Sequence, residues 1–125
     1  MNKLLLIGVG GVLGTLCRFG ISTWVDQRSQ SVFPMGTLAV NLAGCFLAGL
    51  LFPLLDQAGL TPDLRLAIFT GFLGGFTTFS AYGLQTVILG ARGMMSLATL
   101  NVVVSNVAGL LMVWAGDRVA ANFVR

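Results

Sequence analysis

Residues 71–82 read Gly71-Phe72-Leu73-Gly74-Gly75-Phe76-Thr77-Thr78-Phe79-Ser80-Ala81-Tyr82, at the centre of an apolar run from Leu66 to Leu89 that carries no charged residue. The run is long enough to cross a bilayer, which takes about 20 helical residues. Its centre is nevertheless poor helix material, because glycines, two threonines and a serine follow one another there. Two outcomes are open. The hydroxyls bond back to carbonyls and the helix bends, or the helix breaks and exposes carbonyl oxygens, which is tolerable only where protein or water receives them.

Three further runs of similar length flank this one: Leu4 to Val25, Met35 to Leu55, and Met94 to Ala115. Asp26 to Ser31 reads as a loop, with Pro34 placed to start the second helix. Asp56 to Arg65 holds Gly59, Pro62 and three charges, and Thr61-Pro62-Asp63 suits a cap for the third span. Gly90 to Gly93 reads as a tight turn around Arg92, and Asp117 to Arg125 as a short exit from the membrane. The run after Lys3 reads as a span and not a leader, since no small-x-small cleavage site follows it. The chain is thus expected to be an all-α membrane protein, residues 1–125 forming a single four-span domain. Its makeup agrees: 56% apolar, 9% charged and a mean hydropathy of +0.92, where soluble domains carry about 25% charged residues.

The same composition excludes much chemistry. With no histidine, and with Asp26, Asp56, Asp63 and Asp117 never closely paired, neither a histidine triad nor a histidine-ligated zinc site is available. An enzyme is not expected. Cys17 and Cys45 lie inside apolar runs and read as small packing residues. The net charge of +3 comes from scattered residues that form no basic stripe, so nucleic acid is not an expected partner. Gly8 to Gly14 fails as a nucleotide loop because Leu13 breaks the spacing and no βαβ context surrounds it.

Four spans put both termini on one side of the membrane. Lys3, Arg65, Arg118 and Arg125 fall on that side and Arg18, Arg28 and Arg92 on the other, so the positive-inside rule gives almost no instruction. Insertion in both orientations is expected. Small residues recur four apart at Gly10/Gly14, Gly44/Ala48, Gly71/Gly75 and Ser105/Gly109, a pattern that lets helix backbones approach closely in lipid. Four thin helices leave little interior, so some of these faces are expected to serve oligomerisation.

Polar side chains inside spans are costly and should face protein or water. They are Arg18, Asn41, the hydroxyls of span three, and Asn101, Ser105 and Asn106. No acidic residue lies within any span, which argues against a proton-coupled exporter of cations of the small multidrug type. Amide and hydroxyl donors, aromatic ring edges and an arginine near one mouth suit a small anion instead.

Three motifs, Gly10-Gly11-x-x-Gly14-x-x-x-Arg18, Gly36-Thr37-Leu38-Ala39-Val40-Asn41-Leu42-Ala43-Gly44, and Gly71 through Ser80, together closely resemble the Fluc (CrcB) fluoride channels, in order and over essentially the whole chain. The resemblance implies an antiparallel, dual-topology homodimer in the inner (cytoplasmic) membrane that exports fluoride passively through two pores, embedded in membrane lipid. It implies a broken third span in which backbone carbonyls at Gly74 and Thr77 hold a structural sodium ion. It places Asn41, Thr78, Phe79, Ser80 and Tyr82 along the pore and Arg18 at a vestibule. The family pattern has phenylalanine where Tyr82 stands, threonine at Ala81, often glutamate at Gln85, and hydroxyl residues at Leu110 and Trp114. These departures imply a narrower pore with fewer donors. They make a weakly conducting or structural partner of a heterodimer, paired with a paralogous subunit, the alternative to a self-sufficient channel.

Overall fold

A computed structural model describes residues 3–124. These residues form helices α1 (Lys3–Ser29), α2 (Met35–Gln57) and α3 (Pro62–Leu66), a π-helical stretch (Ala67–Leu73), then α4 (Gly74–Phe76), α5 (Phe79–Ala91) and α6 (Met95–Ala120), with no strand among them. Lys3–Ser29, Met35–Gln57, Pro62–Ala91 and Met95–Ala120 are each long and apolar enough to cross a membrane. The protein is a multi-pass, all-α membrane protein.

The helices run further than their apolar cores. α1 continues through Asp26, which was expected to open a loop, and ends at Ser29 before Gln30 at φ 45°. Nothing between Asp26 and Ser29 breaks a helix, and the Asp26 carboxylate is engaged elsewhere: its Oδ1 accepts the Gly36 amide at 2.7 Å, capping the first turn of α2. Gly90 and Ala91 are likewise helical, not part of the turn. The turn is Arg92-Gly93, where Gly93 takes φ +76° and the Gly93 and Met94 amides return to the Gly90 and Leu89 carbonyls. α6 extends past Ala115 to Ala120, so Asp117 and Arg118 sit on its last turn, paired at 3.3 Å. Arg125, assigned above to the tail, lies outside the described residues.

The start of the third span agrees with its sequence. The Thr61 hydroxyl accepts the Leu64 amide at 3.4 Å. Arg65 ties this end to α2 through Asp56 at 2.7 Å and the Leu55 carbonyl at 3.2 Å.

Two tight packing lines hold the bundle. α1 lies against the π-helical stretch and α4, and α2 lies along α6. In the first line a Cβ on Gly75 would stand 2.6 Å from the Gly11 carbonyl and one on Gly71 2.7 Å from that of Ile7, while Gly14 lies directly on the Phe72 carbonyl. In the second, Gly49 lies on the Val113 carbonyl and Gly116 on that of Phe46. Of the four small-residue faces, some of which were expected to serve oligomerisation, Gly10/Gly14 and Gly71/Gly75 are closed within the chain. Lipid gives no hydrophobic drive between helices, and these intrachain contacts supply the dispersion that replaces it. Cys17, expected to pack, is exposed on α1.

Candidate functional site

The third span does break. Thr77 (φ −92°, ψ 158°) and Thr78 (φ −149°, ψ 112°) are extended, with helix before and after them. The opening is narrower than the glycine content suggested, since Gly74 to Phe76 remain helical. The irregularity also begins earlier, because Ala67–Leu73 is π-helical, which nothing in the residue pattern announced. The halves on either side are each about 20 Å long at 1.5 Å per residue, which sets the break near mid-membrane.

Broken backbone at that depth needs partners, and the two most polar side chains near it supply them. Asn41 of α2 donates Nδ2 to the Thr78 carbonyl at 3.1 Å and accepts the Thr78 amide on Oδ1 at 2.8 Å. Arg18 of α1 donates Nε to the Gly75 carbonyl at 2.9 Å. That carbonyl would have met the amide of Phe79 in a continuous helix, so the guanidinium completes the C-terminus of α4, where positive charge is favoured. Gly44 makes room on α2 for the Thr77 side chain. The Thr77 hydroxyl bonds back to the Leu73 carbonyl at 2.9 Å. Thr78 caps α5, its hydroxyl accepting the Ala81 amide at 3.2 Å.

A cavity of about 240 Å³ opens beside the break, lined by Asn41, Cys45, Thr77, Thr78, Phe79, Tyr82, Ser105 and Asn106. Four of the five residues assigned above to a pore thus meet in one place. The fifth, Ser80, lies on the exposed side of α5 with its hydroxyl 3.2 Å from that of Thr78 and does not line the cavity. Phe79 is 80% exposed, and its ring lies 5.2 Å from that of Tyr82 at 55°. α5 begins at this cavity, so the partial positive charge of its N-terminus is directed at whatever occupies it. Leu110 and Trp114 stand elsewhere, on an outer apolar groove with Phe52 and Phe69.

Beside the cavity a partly buried polar network joins α5 and α6, with Asn101 its buried member. Asn101 donates to the Thr86 hydroxyl at 2.8 Å and accepts from Ser105 at 3.3 Å, while Thr86 bonds back to the Tyr82 carbonyl at 2.8 Å. Asn106 donates Nδ2 to the Val102 carbonyl at 2.8 Å and to the Tyr82 hydroxyl at 3.2 Å. The placement of Cys45 in this cavity, and the bond between Asn106 and Tyr82, depend on the register of α2 and α6 against α5. No spacing along one helix signals either.

Because the Thr78 amide goes to Asn41, it does not close a turn on the Gly74 carbonyl, and the extended ψ of Thr77 turns that residue's carbonyl out of the helix line. The Gly74 and Thr77 carbonyls thereby lose the amides of Thr78 and Ala81 that a continuous helix would give them. Among the described residues no cluster of His, Cys, Asp or Glu is placed to hold a metal, so a cation here would take backbone oxygens, the donors that hard cations prefer.

Against known proteins, residues 5–117 match the family described as CrcB-like protein, Camphor Resistance (CrcB). A protein of Parabacteroides distasonis named fluoride-specific ion channel FluC is 39% identical over 99% of this chain and 97% of its own length. Proteins of the same name from Salinibacter ruber (47% identical, covering 93% of this chain and 87% of its own length) and Citrifermentans bemidjiense (46%, covering 96% and 98%) are also similar over nearly all of the chain. With its broken third span and both flanking motifs seated at the break, the chain belongs to the CrcB family.

Proposed function

We propose that this protein is a subunit of a fluoride-selective channel that lets fluoride leave the cell passively across the cytoplasmic membrane. The observation that carries the reading is the cavity at the break: it gathers amide, hydroxyl and aromatic groups with no carboxylate, beside the N-terminus of α5. Fluoride holds its water tightly, and a path through a membrane must offer donors in place of that water. Asn41, Thr78 and the Tyr82 hydroxyl are such donors, the edges of Phe79 and Tyr82 add partial positive charge, and the Ser80 hydroxyl lies 3.2 Å from that of Thr78, outside the cavity lining. Arg18 raises the local potential for an anion while holding the break shut. The work is conduction, not catalysis.

The functional unit in this reading is an antiparallel homodimer of chains inserted both ways. The support is the near-even charge count and the cavity's open side, where Phe79 and Asn106 lie exposed at a depth where polar groups need cover. A sodium ion would be held by the Gly74 and Thr77 carbonyls, where it would supply positive charge at the break. Pairing with a paralogous subunit is the second reading, favoured by Tyr82 standing at a phenylalanine position of the family pattern. Fluoride efflux from liposomes holding this chain alone tests the proposal: selective efflux supports it, and its absence favours the heterodimer.

A further inference from the structure

The Tyr82 hydroxyl is held in one hydrogen-bonding sense by Asn106. The side-chain nitrogen of Asn106 lies 2.8 Å from the Val102 carbonyl, an acceptor only, so that atom must be the amide nitrogen and not its oxygen. The same nitrogen reaches the Tyr82 oxygen at 3.2 Å, and as an NH₂ group it only donates. The tyrosine oxygen is therefore the acceptor. Its own proton is left over, and no acceptor for it stands among the described residues. Both side chains line the cavity that also holds Asn41 and Phe79.

We propose that Tyr82, oriented by Asn106, donates its hydroxyl proton to the permeating anion and sets the preference for fluoride over chloride at this point of the path. The proposal rests on the reading of the cavity as the fluoride path. A phenol whose oxygen already accepts a hydrogen bond is a stronger donor through its own proton, because linked bonds polarise one another. A compact anion that must surrender water gains most from such a donor, and a larger, weakly hydrated one gains least. Tyr82 is thus a contact residue and Asn106 a positioning residue acting through it. The donor stands on α5, and the absence of hydroxyls at Leu110 and Trp114 of α6 does not leave the path without one.

Tyr82 is the only tyrosine in the chain, so a tyrosine-specific probe reports on it alone. The protein would be labelled with ¹³C at the tyrosine ζ carbon, reconstituted in lipid and titrated with fluoride or chloride, beside efflux assays on wild type, Tyr82→Phe, Asn106→Leu and the double variant. The expected result is a resonance moved by fluoride and not by chloride. Tyr82→Phe should lower fluoride efflux by about tenfold or more, as loss of one donor to a desolvated ion would. Asn106→Leu should lower it in the wild-type background and change nothing further in Tyr82→Phe. If wild type conducts while Tyr82→Phe conducts equally well, or fluoride leaves the resonance unmoved, or Asn106→Leu costs the same in both backgrounds, the inference is overturned and the channel reading stands. If wild type alone does not conduct, the self-sufficient homodimer fails and the heterodimer reading is favoured, and the titration alone decides whether Tyr82 meets fluoride.

Discussion

Asn41 grips Thr78 by both ends of its side-chain amide, giving a hydrogen to the carbonyl and taking one from the amide of the same residue. This is the pairing one strand makes with another, supplied here by a side chain to a two-residue break in a helix. Asn41 is therefore both a wall of the cavity and the partner that lets the break exist in a medium without water.

The first prediction follows from that double role. Asn41→Leu leaves a donor and an acceptor of Thr78 without partners, at a cost of about 1–3 kcal/mol each. Fluoride efflux should fall to background, and amide exchange at Thr78 should rise by at least an order of magnitude. Asn41→Asp keeps the acceptor for the Thr78 amide and should restore protection there without restoring efflux, because the carboxylate repels the anion.

Arg18 gives the second. Arg18→Met removes the partner of the Gly75 carbonyl, about 1–3 kcal/mol at this part-buried position. The thermal midpoint of the purified protein should drop by several degrees, and Arg18→Lys, which keeps the charge but not the Nε geometry, should recover part of the loss.

The spans, their order and the fragility of span three were legible from residue type, because hydropathy and helix propensity act locally. Asn41, Phe79 and Tyr82 were legible as pore residues through the family resemblance of their motifs and not through residue type alone, and the fold brings the three to one cavity at the break. Arg18 against Gly75, Asn106 against Tyr82 and the seating of Gly14 on Phe72 were not, because each depends on how far one helix is slid along another. The charges at the span ends misled for a related reason. Asp26 looked like a loop residue until the start of α2 came within its reach.

A third prediction separates packing glycines from incidental ones. Gly14 and Gly75 lie in the contact between α1 and the third span, whereas a Cβ at Gly8 would meet nothing within 4 Å. Gly14→Val and Gly75→Val should abolish recovery of monodisperse protein, while Gly8→Ala should be recovered at the wild-type level.

The fourth concerns Leu110 and Trp114. They line the outer groove and not the cavity at the break, so Leu110→Ser with Trp114→Thr adds no donor where Asn41 and Tyr82 stand. Efflux from the double variant should stay within about twofold of wild type, well under the tenfold that one donor is worth. A rise of tenfold or more would show that the path runs along the outer face of α6.

Dual insertion gives the fifth. A single cysteine at exposed Ser31, with Cys17 and Cys45 replaced by serine, should react with an impermeant reagent from both sides of intact membranes. Reaction from one side alone would remove the antiparallel dimer for this chain expressed by itself.

The most direct measurement of the central claim is ion efflux from liposomes containing only this purified chain, read with a fluoride electrode and a chloride electrode in parallel. The account predicts rapid fluoride release that Asn41→Leu abolishes, with chloride retained. Fluoride release no faster than from protein-free liposomes, or equal release of both ions, would contradict it.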